Sequence, residues 1–271
     1  MSKTWTVAIA GLGAIGLKVA RAIDQGEVKR MTLTAVSARD HEGATAKLAD
    51  FSAMPEILMA GDLAAKADIV IDCAPADVFA EIAGPAIAQG RILMPLSVGA
   101  LLRHMELVDQ AEETGAQIIV PTGALIGLDT VRAMAVGTIR KVTLQTRKPP
   151  GGLAGAPHLV KNAIDVHSLS EATKVFEGTA REAAEGFPAN VNVAAALALA
   201  GVGPEQTMVE VWADPDIKRN RQSVTIVSDS GEATMTINNI PSEENPKTGR
   251  IVANSVIATL QRMTAPLVSG T

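Results

Sequence analysis

The chain has 271 residues, enough for one large domain or two modest ones, and 47% hydrophobic with 20% charged residues suits a globular protein with a sizeable core. A net charge of −5 and an aromatic content of 2%, with no Tyr, argue against a nucleic-acid partner, since the charge balance is acidic and there are almost no rings on which bases could stack. Cys73 is the single cysteine, so no intrachain disulfide can form, and no apolar run approaches the roughly 20 residues of a membrane span.

The N-terminus enters a strand within about five residues, which leaves no room for a signal peptide, and the expected setting is the cytoplasm. Residues 5–10, WTVAIA, form that short apolar strand. The turn GLGAIG follows at 11–16 and leads into AIGLKVARAI, which has helical spacing. Glycine triples arise by chance in Ala/Gly-rich chains, but this one lies between a strand and a helix in the first βαβ unit, the setting of a dinucleotide-binding turn. Gly11 permits the tight turn, Gly13 lets the backbone approach a pyrophosphate, and Gly16 lets helix and strand pack closely. Ala14 and Ile15, at the helix start, belong to the same cofactor-binding set, because free N–H groups there face the phosphates.

MTLTAVSARD, at 31–40, reads as a buried strand ending in Ser37-Ala38-Arg39. An acidic residue at such a tip usually holds the adenosine ribose and would repel a 2′-phosphate. Ser37 and Arg39 can instead hydrogen-bond and neutralise one, so NADP is the expected cofactor, with NAD accepted as well. Asp40 is the counter-argument, since a longer strand would let it reach the ribose.

The alternation continues with the strand 68–73, the helix PADVFAEIAGPAIAQG, the strand 91–96, the helix GALLRHMELVDQAEETG and the strand 116–121. Strands alternating with amphipathic helices indicate a doubly wound parallel sheet. The strand ends carrying Cys73 and Ala74, then Ser97, then Ala124 lie where such a sheet opens its crevice, and they are expected to line the nicotinamide pocket. Cys73 itself reads as a small core residue rather than a nucleophile.

After Gly127 the texture changes. VTLQTRKPP (142–150) reads as a strand running into the Pro/Gly-rich loop PPGGLAGAP, and TMVEVWAD, RQSVTIVSDS and EATMTINNI resemble three consecutive antiparallel strands. Helices near 178–186 and 190–200 would cover one face. Thr179 and Glu182 have capping-box spacing, and Asn190 is placed to cap the next helix or to touch the nicotinamide end of a cofactor. The expected fold is an α/β dinucleotide-binding domain over 1–123, with the helix 245–265 returning to it, and an α/β (α+β) substrate and dimerisation domain over 124–244 with a mainly antiparallel sheet. Arg147 and Lys148, at a strand end beside the flexible loop, are candidates for clamping a dicarboxylate.

GLGAIG, PTGALIGLDT (121–130), TRKPP (146–150), the run FEGTAREAAEGFPANVNVAAALALAG (176–201) and NPKTGRIVANSVIATLQRM (245–263) together resemble the L-aspartate dehydrogenase family over nearly the whole chain. The resemblance implies a Rossmann domain, a second domain that mediates homodimerisation, and NAD(P)-linked conversion of L-aspartate and water to oxaloacetate and ammonia through iminosuccinate. It also implies cofactor contacts from Ala124 and Asn190. One position departs from the family pattern, in which an Asp-Pro pair is followed by an Asn and, two residues later, by an acid/base His. Here Asp214, Pro215 and Asn220 match, and Gln222 stands at the His position.

Glutamine can hydrogen-bond a carboxylate or an imine but exchanges no proton near neutral pH, and a positioned acid/base is worth about 10²–10⁴ in rate. The candidates to carry the proton instead are Lys148, His158 and His167, while His41 and His104 read as surface residues. Action on another amino or oxo acid, or reduction of imines formed elsewhere, is also open. So are a dehydrogenase of an aldehyde or hydroxy acid and a catalytically silent NAD(P)-binding sensor.

Overall fold

The computed structural model describes residues 3–188, 191–245 and 248–270. The chain divides into two compact units, Met1–Pro121 with Val252–Val268, and Thr122–Ile251 with Ser269–Thr271.

In the first unit the chain runs β1 (Trp5–Ala10), α1 (Ala14–Asp24), β2 (Met31–Ser37), α2 (His41–Leu48), β3 (Glu56–Leu58), β4 (Ile69–Asp72), α3 (Phe79–Ala88), β5 (Ile92–Pro95), α4 (Val98–Leu101), α5 (Glu106–Thr114) and β6 (Gln117–Ile118). The six strands form one sheet in the order β3-β2-β1-β4-β5-β6, and every pairing is parallel. Helices cover both faces of such a sheet, which is why β1 and β4 are continuous apolar runs; Val7 through Ala10 and Ile69 through Ile71 are 0% exposed. The order reverses between β1 and β4, and that switch point opens a crevice at the carboxyl ends of the two strands.

The helix expected over 99–115 is two helices. Arg103 and His104 donate short-range bonds to the carbonyls of Ala100 and Leu101, which closes α4 one turn after it starts, and α5 begins afresh at Glu106. α5 ends on Gly115 in the left-handed conformation, φ +72°, where a glycine is favoured.

The second unit runs α6 (Leu128–Ala135), β7 (Ile139–Lys148), α7 (Pro157–Lys161), β8 (Thr173–Thr179), α8 (Ala180–Gly186), α9 (Asn192–Ala200), β9 (Thr207–Ala213), β10 (Arg221–Ser228) and β11 (Glu232–Asn238). Its sheet has the order β11-β10-β7-β9-β8 and is antiparallel except for the pair β7–β9. β9, β10 and β11 are therefore not a simple meander, because β7 is inserted between β9 and β10. β8 is an additional strand that the periodicity did not reveal.

One face of this sheet is buried under helices through Leu144, Val209, Val211, Val224 and Ile226, which pack with Phe187 and Leu197. The capping box at the start of α8 is formed, with Thr179 Oγ1 accepting from the Glu182 N–H and Glu182 Oε2 accepting from the Thr179 N–H. The last helix, α10 (Ile251–Thr264), places Val256, Ile257 and Leu260 in the core of the first unit. Among the described residues no helix is long and apolar enough to cross a membrane.

Candidate functional site

In the first unit the Gly-rich turn is held between β2 and β4. Gly11 has φ +92°, its N–H donates to the Ser37 carbonyl at 2.8 Å, and a Cβ there would stand 2.8 Å from the Cys73 carbonyl oxygen. A Cβ on Gly16 would lie 1.9 Å from the Gly11 carbonyl oxygen, so helix and turn touch backbone to backbone. Gly13 differs from both, because a Cβ there would meet nothing within 4 Å. That open space sits at the N-terminus of α1, which has no side-chain cap and no acidic residue in its first turn. The N–H groups of Ala14 and Ile15 and the positive end of the helix dipole suit a pyrophosphate there.

Ser37, Arg39 and Asp40 follow the turn at the end of β2. Ser37 is the last residue of β2 and is buried, while Arg39 is exposed beyond it. Asp40 caps α2, its carboxylate accepting from the Gly43 N–H at 2.9 Å. Asp72, which motif reading did not single out, organises the crevice at the ends of β4 and β5. It is 0% exposed and accepts N–H bonds from Ala74 and Ser97, each at 3.1 Å, while Ser97 Oγ donates to the Ala74 carbonyl. Burial pushes the Asp72 carboxyl up despite these bonds. Burial, with the Asp72 carboxylate beside it, also pushes the Cys73 thiol up, so Cys73 stays protonated and lines the crevice without acting as a nucleophile.

In the second unit a cavity of about 630 Å³ opens at the end of β7, lined by Lys148, Phe187, Lys218, Arg219, Asn220 and Asn239 among others. Its described lining contains three cationic side chains and no Asp or Glu. Lys148 is 8% exposed, and burial lowers its ammonium to about 8. Gln222 lies opposite Thr146 in the β10–β7 register, two residues inward from Lys148 along β7, and all three residues are buried on the same sheet face. Asn239 donates from Nδ2 to the Ala124 carbonyl at 3.0 Å, so it ties the loop carrying Ala124 to the strand end that borders the cavity. Neither Asn239 nor the cationic rim of Lys218 and Arg219 was apparent as a site from the motifs.

Other candidates do not join this cavity. Arg147 points to the opposite sheet face, as strand alternation requires. There it pairs with Asp214 at 3.4 Å, donates to Gln145 Oε1 at 3.1 Å and lies 4.7 Å over the Trp212 ring. Of Arg147 and Lys148, the pair expected to clamp a dicarboxylate, only Lys148 borders this cavity. His158 packs its ring against Phe176 and Phe187 at 5.1 and 5.5 Å and lines a different hollow. His167 is exposed on a short turn, with its backbone N–H bonded to Asp165, and lines a third hollow. Asn190 lies outside the described residues.

A doubly wound sheet with a glycine cradle for a pyrophosphate, followed by a unit with a cation-lined cavity, defines a nicotinamide-dinucleotide-dependent oxidoreductase. Residues 11–121 match the family described as homoserine dehydrogenase, NAD binding domain, and residues 129–263 match aspartate dehydrogenase, C-terminal. The chain is 53% identical to an L-aspartate dehydrogenase of Bradyrhizobium diazoefficiens, over 98% of this chain and 94% of that protein. It is 49% identical to L-aspartate dehydrogenase 3 of Bordetella bronchiseptica, over 98% and 97%. The crystal structure of an aspartate dehydrogenase from Thermotoga maritima shares the fold, with a TM-score of 0.73 and 24% identity over 98% of this chain and 99% of that one. The chain belongs to the L-aspartate dehydrogenase family.

Proposed function

We propose that the protein interconverts L-aspartate and iminosuccinate with NADP, the imine hydrolysing to oxaloacetate and ammonia. When bound, the nicotinamide supplies the hydride acceptor in one direction and the donor in the other. The chain's own residues handle charge and protons. Gly11, Gly13, Ala14, Ile15 and Gly16 hold the pyrophosphate, Ala74 and Ser97 border the crevice at the ends of β4 and β5 that takes the nicotinamide, and Ala124 is the further cofactor contact that the resemblance implies. Lys218 and Arg219 attract the two carboxylates of a dicarboxylic substrate, unopposed by any acid in the described cavity wall.

The observation that carries the reading is the buried amine of Lys148. With its ammonium lowered to about 8, about one lysine in ten is neutral at pH 7, against about one in three thousand for an ordinary lysine. Neutral Lys148 takes a proton from the substrate ammonium, freeing the nitrogen lone pair that drives oxidation at the α-carbon. Protonated Lys148 returns it to the nitrogen in the reductive direction. This role fills the gap left by Gln222, which stands where the resemblance puts an acid/base His, and it favours turnover over a silent sensor.

NADP over NAD is supported by the β2 tip. Arg39 is exposed there, and Asp40 is turned toward the start of α2, where its carboxylate accepts the Gly43 N–H. A homodimer belongs to the same proposal, and sedimentation of the purified protein tests it. The activity is tested by supplying L-aspartate with NADP or NAD and assaying oxaloacetate and ammonia. Equimolar appearance of both with NADPH supports the reading; oxidation of malate but not of aspartate would overturn it.

A further inference from the structure

The buried face of the second sheet is apolar through most of its length and turns polar at one end. Val224 stands opposite Leu144, and one step on Gln222 stands opposite Thr146. Beyond them Asn220 and Lys148 border the cavity. Gln222 and Thr146 are 4% and 5% exposed, and Gln222 Oε1 and Thr146 Oγ1 are buried with no hydrogen-bond partner among the described residues. Buried polar atoms in native interiors are nearly always bonded, so two orphaned oxygens on directly opposed residues call for a ligand that brings its own donors.

We infer that Gln222 and Thr146 form the acceptor pair for the N–H groups of the substrate's amino or imino nitrogen, and that Gln222 is thereby a specificity determinant for amine over oxygen substrates. The inference rests on the aspartate reading and deepens it. Directly opposed residues have Cβ atoms about 4.5–5.5 Å apart, close enough for two oxygens to address the two N–H bonds of one nitrogen. A carbonyl oxygen at that place would bring only lone pairs. Thr146 could turn its hydroxyl and Gln222 its amide to donate, but in the orientation present the unpartnered atom of Gln222 is its carbonyl oxygen, and that arrangement favours an N–H donor over a carbonyl. Lys148, two residues along β7 on the same face, is left to exchange the proton. One strand position thus holds the nitrogen and another changes its charge.

The test is steady-state reductive amination by the full-length protein, varying ammonium, oxaloacetate and NADPH in turn. Gln222→Met and Thr146→Val keep the side-chain bulk and delete an acceptor. Each is expected to raise KM for ammonium about tenfold, the loss of one hydrogen bond, while KM for oxaloacetate and NADPH stays within about twofold. Gln222→Glu, which keeps the acceptor, is expected to recover most of the ammonium KM. Gln222→Met is also expected to lower the ratio of aspartate to malate formed by about tenfold. Wild-type protein offers a readout without any substitution, because N-methyl-L-aspartate, with one N–H fewer, should show kcat/KM at least about tenfold below aspartate. Equal rises in all three KM values with an unchanged product ratio, or equal use of the methylated substrate, would overturn the inference and leave the aspartate reading standing. NADPH consumption by wild type that ignores ammonium would overturn both.

Discussion

At neutral pH the folded protein keeps a positive charge on Lys148 where the residue is only 8% exposed, on the wall of a cavity whose described lining holds no carboxylate. The ammonium is lowered from 10.5 to about 8, which corresponds to about 3 kcal/mol of lost stability at about 1.4 kcal/mol per tenfold. Below pH 8 the lysine is protonated in both folded and unfolded chains, so the full cost is present. Between about 8 and 10.5 the folded chain has released the proton and the unfolded chain still binds it, so stability rises with pH. Above that range the cost is gone. Lys148→Met deletes the charge and keeps the apolar stem, so it should abolish turnover yet stabilise the protein by about 3 kcal/mol near pH 7. The difference should shrink toward zero as pH passes about 10.5. Urea denaturation of both proteins at about pH 7, 9 and 10.5 reads this directly, and every other titrating group cancels in the comparison. Stability curves that run parallel across this range would refute the assignment of a charge-disfavouring site to Lys148.

The same group sets the pH dependence of catalysis. kcat/KM for aspartate oxidation should climb through about pH 8, where Lys148 becomes a base, and the reductive direction should lose its acid over the same interval. Limbs centred near pH 6 in both directions would point to a histidine instead. Gly13→Ala should leave the melting temperature within a few degrees, because its Cβ meets nothing in the protein. It should nevertheless weaken dinucleotide binding about tenfold or more by calorimetry, since the methyl enters the pyrophosphate space. Arg39→Ala should raise KM for NADPH about tenfold, the loss of a charge-assisted hydrogen bond, and leave KM for NADH unchanged. Parallel changes for the two cofactors would remove Arg39 from phosphate recognition.

The first unit was legible because its signals are local. Apolar runs buried on both faces, a glycine turn at the first strand end and left-handed glycines after α3 and α5 are all written within a few residues of the structure they cause. The break between α4 and α5 was not, since the apolar spacing continues through Leu102 while the backbone closes early on Arg103 and His104. In the second unit β8 was hidden because its exposed positions carry Lys174 and Glu177, which blur the alternation. The insertion of β7 between β9 and β10 is a long-range pairing that no local pattern encodes.

For the site, alternation alone placed Arg147 and Lys148 on opposite faces, and the structure decides which one borders the cavity. His158 and His167 drew notice for their chemistry, whereas burial, which lowers the Lys148 ammonium, is a property of the packed fold. Asp72 and Asn239 act by fixing backbone groups of residues far along the chain, Asn239 reaching back to Ala124, and such roles have no motif.

The most direct measurement of the whole account follows NADPH consumption by the wild-type protein with oxaloacetate, first without and then with ammonium. The proposed activity predicts little loss without ammonium and rapid, ammonium-saturable loss with L-aspartate accumulating in equal amount. A rate indifferent to ammonium, or a product other than aspartate, would contradict it.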